Sequence, residues 1–94
     1  MAELKRYHVV CKGQVQGVGF RWRARMAAES LGVTGWVKNE WDGSVTMEVQ
    51  GTDQAISRML SQIDAGSFIR IEDIERTPVK VIPDERRFRV TGYY

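Results

Sequence analysis

Residues 7–32 read YHVVCKGQVQGVGFRWRARMAAESLG, and three backbone habits follow one another within them. Residues 7–12 are rich in β-branched and aromatic side chains, the composition of a strand. Gly13, Gly17 and Gly19 then fall close together, which marks a loop with unusual backbone angles. From Phe20 the period changes. Phe20, Ala24, Ala27, Ala28 and Leu31 recur at helical spacing and share one face. Gly32 followed by Val33 has the form of a helix C-terminal cap with its hydrophobic contact. The unit is strand, glycine loop, helix, and a helix that leads into a second strand of the same sheet makes the two strands parallel.

The remaining pattern fits around that unit. Residues 34–39 read as the second strand, and Asp42-Gly43 is a turn signal. Residues 44–50 alternate, with Val45, Met47 and Val49 on one face and Ser44, Thr46, Glu48 and Gln50 on the other, the pattern of a strand with one buried face. Asp53 is the expected N-cap of a second helix. Its apolar stripe is Ile56, Met59, Leu60 and Ile63, and Gly66 closes it. Residues 68–74 are expected as a further strand. Residues 77–85, with Pro78 and Pro83, read as a connection with room for a short edge strand. Residues 87–91 form the last strand, with Phe88 and Val90 inward. The expected class is α+β: a ferredoxin-like βαββαβ sandwich, two helices on one face of a four- to five-stranded, mainly antiparallel sheet.

Composition limits the function. Ninety-four residues make one domain, taken as 1–94, with one modest core. Hydrophobic residues at 43% and charged residues at 28% are ordinary for a globular chain, so disorder is not expected. Fourteen Lys and Arg against twelve Asp and Glu leave a formal charge of +2, too little to imply a nucleic-acid or membrane partner. It would favour a small anion if the excess lay near one cleft. The single cysteine, Cys11, allows no internal disulfide, which fits a reducing compartment. No signal peptide or membrane-length apolar run is read, so the expectation is a cytoplasmic protein, with a monomer as the default.

The chemistry-bearing stretch is Gly13-Gln14-Val15-Gln16-Gly17-Val18-Gly19-Phe20-Arg21. A glycine-rich turn can present consecutive N–H groups into one concavity, an anion nest. The helix that follows adds its own unpaired N–H groups and the positive end of its dipole. Arg21 lies in the first helical turn, and its planar fork matches a phosphate. Topology adds Asn39. The first two strands run parallel, so the loop after the first and the end of the second share one sheet edge. With the third strand between them they lie roughly 10 Å apart, within reach of one phosphate-sized ligand. A glycine loop can also be a mere tight connection, and an asparagine at a strand end often makes only a local turn bond.

These residues resemble the acylphosphatase family. Its first motif is closely similar to residues 13–21. Its second is matched by Gly35-Trp36-Val37-Lys38-Asn39, with Gly43, Val45 and Gly51 at the family's spacing. The resemblance covers nearly the whole chain and implies hydrolysis of a carboxyl-phosphate bond to a carboxylate and inorganic phosphate, with a small acyl phosphate as substrate. It implies that Arg21 binds the phosphate and Asn39 orients the attacking water. It also implies that the backbone of Gln14, Val15, Gln16, Gly17, Val18 and Gly19 cradles the phosphate. No cofactor or metal is implied. Carboxylate is a weak base, so it can leave without a strong general acid. Two positions depart from the family's pattern: Glu40 replaces a small hydroxyl residue after Asn39, and Gly92 stands where an aromatic is common, with Tyr93-Tyr94 following.

Other residues carry plainer expectations. His8 is expected on a sheet face, and Cys11 as a small core residue. Trp22, off the apolar helix face, either covers the site or lies exposed, and Trp41 is a candidate wall of the pocket. Arg23, Arg25, Arg86, Arg87 and Arg89 are read as solvated surface. Two other classes compete. A single-stranded RNA binder on this fold stacks bases on sheet aromatics, whereas Ser44, Thr46 and Glu48 stack poorly. A non-catalytic anion-sensing or regulatory domain would share the loop and Arg21 without turnover.

Overall fold

The computed structural model describes residues 3–92. Along the chain run β1 (Lys5–Gln14), α1 (Phe20–Leu31), β2 (Thr34–Asn39), β3 (Val45–Gly51), α2 (Asp53–Asp64), β4 (Arg70–Val79) and β5 (Phe88–Thr91). The five-stranded sheet has the order β4-β1-β3-β2-β5. β3 pairs antiparallel with both β1 and β2, so β1 and β2 are parallel with β3 between them. β4 adds antiparallel to β1, and β5 adds parallel to β2. This is the ferredoxin-like α+β sandwich, widened by β5.

Alternation decides what lies between the layers. Val9 and Cys11 of β1, Val37 of β2, and Val45, Met47 and Val49 of β3 all point toward the helices and are fully buried. Phe20, Ala24 and Ala28 of α1 meet them, with Ile56, Met59 and Ile63 of α2. The alanines let α1 approach the sheet closely. Its end is set by Gly32 in the left-handed region (φ 71°), where the Val33 N–H closes onto the Ala28 carbonyl at 2.9 Å.

Several expectations are corrected. Thr52, not Asp53, is the N-cap of α2, its hydroxyl accepting from the Ala55 N–H at 3.1 Å; Asp53 is the first helical residue and favours the dipole. α2 ends at Asp64, and the Gly66 N–H continues the turn onto the Ile63 carbonyl. Phe68 is no strand residue but lies exposed in the turn that the Ile69 N–H to Gly66 carbonyl bond closes. β4 instead continues through Thr77 and Pro78 to Val79, so there is no separate short strand among the described residues. Pro78 is accommodated because β4 is an edge strand and needs no second ladder partner. Val90 is 42% exposed rather than core; it borders an open cleft beside α1.

The largest correction concerns the outer face of β3. Ser44, Thr46 and Gln50 are buried, although they alternate with the apolar residues. β3 is the central strand, and the β4–β5 connection is tied across its outer side. Gln50 exchanges two hydrogen bonds with the Ile82 backbone, both 2.9 Å. Arg6, 2% exposed, donates to Glu85 at 2.7 Å, Glu48 at 2.8 Å and Gln50 at 3.1 Å. Burial alone would make the Arg6 charge harder to hold, but the bonds to Glu85 and Glu48 outweigh it and hold its pKa up. Glu48 likewise titrates below its ordinary value, since Arg6 and then His8 more than offset its burial.

Candidate functional site

The loop between β1 and α1 is shaped by glycines that take positive φ. Gly17 (φ 72°) and Gly19 (φ 80°) turn the chain so that Gly19 becomes the N-cap of α1 with no side-chain cap. The first helical bond runs from the Arg23 N–H to the Gly19 carbonyl at 3.0 Å. The backbone N–H groups just ahead of it have no intrahelical acceptor and face the helix entrance. No acidic side chain occupies the first turn of α1, so its dipole is left for another anion.

Gln16 locks this loop to the far side of the site. Its Nε2 donates to the Glu40 carbonyl at 2.7 Å and to the Ser44 carbonyl at 2.9 Å. Those carbonyls belong to the turn that follows β2. The turn has its own brace: Asp42 Oδ1 accepts from the Ser44 N–H at 2.9 Å and from its hydroxyl at 2.6 Å, which holds the Asp42 carboxyl below its usual range. Asn39, buried on the inner side of β2, pairs in register with Val45 just before that turn.

One open cleft of about 430 Å³ collects these parts. Gly17 and Gly19 form one edge, Arg21 and Asn39 supply a cation and an amide, and Val15, Phe20, Trp22 and Val90 supply apolar wall. Of the expected site residues, Val15, Gly17, Gly19, Arg21 and Asn39 therefore share one space. Gln14 is the last residue of β1, opposite Arg70, and lines a neighbouring hollow. Gln16 and Val18 are not among the cleft's lining residues, and the Gln16 side chain is spent on the turn. Among the described residues no carboxylate pairs with Arg21. A planar cation that no carboxylate among the described residues neutralises, beside a helix entrance, suits a tetrahedral oxyanion.

The family pattern described as Acylphosphatase matches residues 7–90. The chain belongs to the acylphosphatase family. An acylphosphatase of Geobacillus kaustophilus is 44% identical over 88 residues, spanning 93% of this chain and 94% of that protein. An acylphosphatase of Rhizobium etli is 46% identical over 83 residues, spanning 85% of this chain and 86% of that protein. The crystal structure of acylphosphatase from Bacillus subtilis superposes with a TM-score of 0.85 at 32% identity, covering 96% of this chain and all of that one.

Within this acylphosphatase frame the other expectations sort themselves. Trp22 both lines the cleft and stays 67% exposed. Trp41 does not line the cleft; it stands on the turn, 88% exposed. Glu40 turns toward Lys38, 3.9 Å away, and is not a lining residue. Gly92 takes a positive φ of 89°, and Tyr93 and Tyr94 lie outside the described residues. His8 sits half-exposed on the outer sheet face, bonded to Glu48 at 3.0 Å and edge-on to Trp36. Cys11 is fully buried, and burial pushes its thiol up to about 12. That is the setting of a small core residue rather than of a reactive thiolate. Two assignments change. Arg23 is not merely solvated, since its Nε donates to the Gln62 carbonyl at 2.6 Å. Arg25 lines the cleft. Its spacing of four from Arg21 already put both on one side of the helix. No helix among the described residues is long and apolar enough to cross a membrane.

Proposed function

We propose that this chain is an acylphosphatase, hydrolysing acyl phosphates to a carboxylate and inorganic phosphate. The observation that carries the proposal is the shared cleft of Arg21, Asn39 and the Gly17–Gly19 edge in a chain of this family. In this reading the backbone N–H groups of the loop 14–19 and the Arg21 guanidinium hold the phosphoryl oxygens. Asn39 positions a water in line with the bond to be broken. Water oxygen bonds to phosphorus, the bond from phosphorus to the acyl oxygen breaks, and its electron pair leaves with the carboxylate. The water's proton passes to a phosphoryl oxygen. Charge stabilisation and positioning supply the rate, as phosphoryl transfer requires. The reading includes a monomer in the cytoplasm, supported by the lone buried thiol of Cys11.

The test is hydrolysis of benzoyl phosphate, followed by ultraviolet absorbance with EDTA present. Wild type is expected to turn over. Arg21→Ala should lower kcat/KM by at least about 100-fold, the scale of losing one oxyanion donor. Asn39→Ala should lower kcat while inorganic phosphate still binds. A folded wild type that binds phosphate but hydrolyses no acyl phosphate would leave an anion-sensing domain as the account of the same cleft.

A further inference from the structure

The cleft is larger than a phosphoryl group needs, and it does not end at Arg21. Arg25 lies one helical turn on, about 6 Å along the axis. It lines the cleft and also a second hollow of about 550 Å³ beyond it. That hollow is bordered by Arg86 and Arg87 from the approach to β5 and by Glu29. Across the two spaces four arginines face one glutamate, a surplus of three positive charges. The whole chain carries a formal +2, so its net positive charge is concentrated on this side. A cleft walled by one sign of charge focuses its field on an approaching anion.

The Arg25 side chain is available to such an anion. Its recorded bond is from Nε to Glu29 Oε1 at 3.2 Å, with both side chains more than half exposed. An exposed pair of this kind at spacing four contributes little and is easily outcompeted. That bond uses Nε and leaves the two outer nitrogens of the fork without a side-chain partner among the described residues. Apolar wall from Val90 and Trp22 lines the space around Arg21 and Arg25. An acyl group lying against that wall would bring a group on its far end toward Arg25.

Building on the acyl-phosphate reading of the cleft, we propose that Arg25 is a specificity-determining residue. It recognises a second anionic group, carboxylate or phosphate, carried at the far end of the substrate's acyl portion. The preferred substrates are then acyl phosphates with charge at both ends rather than simple aliphatic or aromatic ones. Glu29 acts against this as a weak internal competitor for the same fork.

The experiment compares kcat/KM for 4-carboxybenzoyl phosphate and its neutral methyl ester, which share size and ring, in wild type, Arg25→Gln and Glu29→Gln. Wild type should favour the charged substrate at least about fivefold at low salt, a preference that shrinks at high salt. Arg25→Gln should bring the ratio near one, and Glu29→Gln should raise it above wild type. A third substrate, 4-phosphonobenzoyl phosphate, separates the sources: a larger ratio than for the carboxylate identifies a phosphate end. Equal rates on charged and neutral substrates in wild type, or a preference that survives Arg25→Gln, overturn the proposal while benzoyl phosphate turnover stands. Failure of wild type on every acyl phosphate overturns the underlying reading instead.

Discussion

The two faces of the sheet are held by opposite means. Toward the helices, Val9, Cys11, Val37, Val45, Met47 and Val49 form an apolar layer in which no partner has to be specified. On the outer face at one end, Arg6, Glu48, Gln50 and Glu85 form a hydrogen-bonded knot under the β4–β5 connection. The inner face is held by area removed from water, which tolerates apolar side chains of similar volume. The outer face is held by matched donors and acceptors, which fails when one member is removed. The inner layer therefore supports the whole fold, while the knot fixes one connection, the one that leads into β5 and the cleft wall at Val90.

Substitutions on each side test this contrast. Met47→Ala, at a fully buried position, should cost about 4 kcal/mol in urea unfolding, combining lost transfer energy with a residual cavity. Arg6→Ala should cost about 3 kcal/mol by leaving Glu48 and Glu85 without their shared cation. Replacing the set together, Arg6→Met with Glu48→Gln and Glu85→Gln, should cost less than Arg6→Ala alone. If the triple variant is worse, the outer face is not governed by charge matching.

Acid should act on the knot. Glu48 titrates low when folded, so the unfolded chain binds more protons in the acid range and stability rises with pH there. Its contribution is complete above the ordinary glutamate value of about 4.3 and is lost as pH falls through the lower folded value. Glu48→Gln should therefore be about 1 kcal/mol less stable than wild type at neutral pH, with the gap closing in strong acid. A gap that does not change with pH would remove the charge from the explanation. Smallest of all is Lys5→Ala. The Lys5–Asp53 pair is 3.0 Å long but half-exposed at both ends, and its loss should leave the urea unfolding midpoint indistinguishable from wild type.

Much of the candidate cleft is legible in the sequence. Glycine spacing announced the loop, the switch to helical period at Phe20 placed Arg21 in the first turn, and the helical crossover put Asn39 on the same edge. Each of these is a local rule or a rule of connection. The bracing by Gln16 was not legible, because its acceptors are backbone carbonyls 24 and 28 residues away that carry no side-chain signature. Arg25 was half legible: its spacing from Arg21 was plain, but solvent and a cleft wall look alike in sequence.

The alternation in β3 marks the boundary between the two kinds of knowledge. The sequence by itself determined that Val45, Met47 and Val49 point one way and Thr46, Glu48 and Gln50 the other, because a strand's side chains must alternate. It determined the element order, the α1 cap at Gly32 and the parallel direction of β1 and β2 for the same reason: backbone stereochemistry acts over a few residues. Only the tertiary structure decided that Thr46 and Gln50 on the polar side of β3 are also buried. Burial depends on what the rest of the chain lays over a residue, and at Gln50 that is the Ile82 segment, more than thirty residues on.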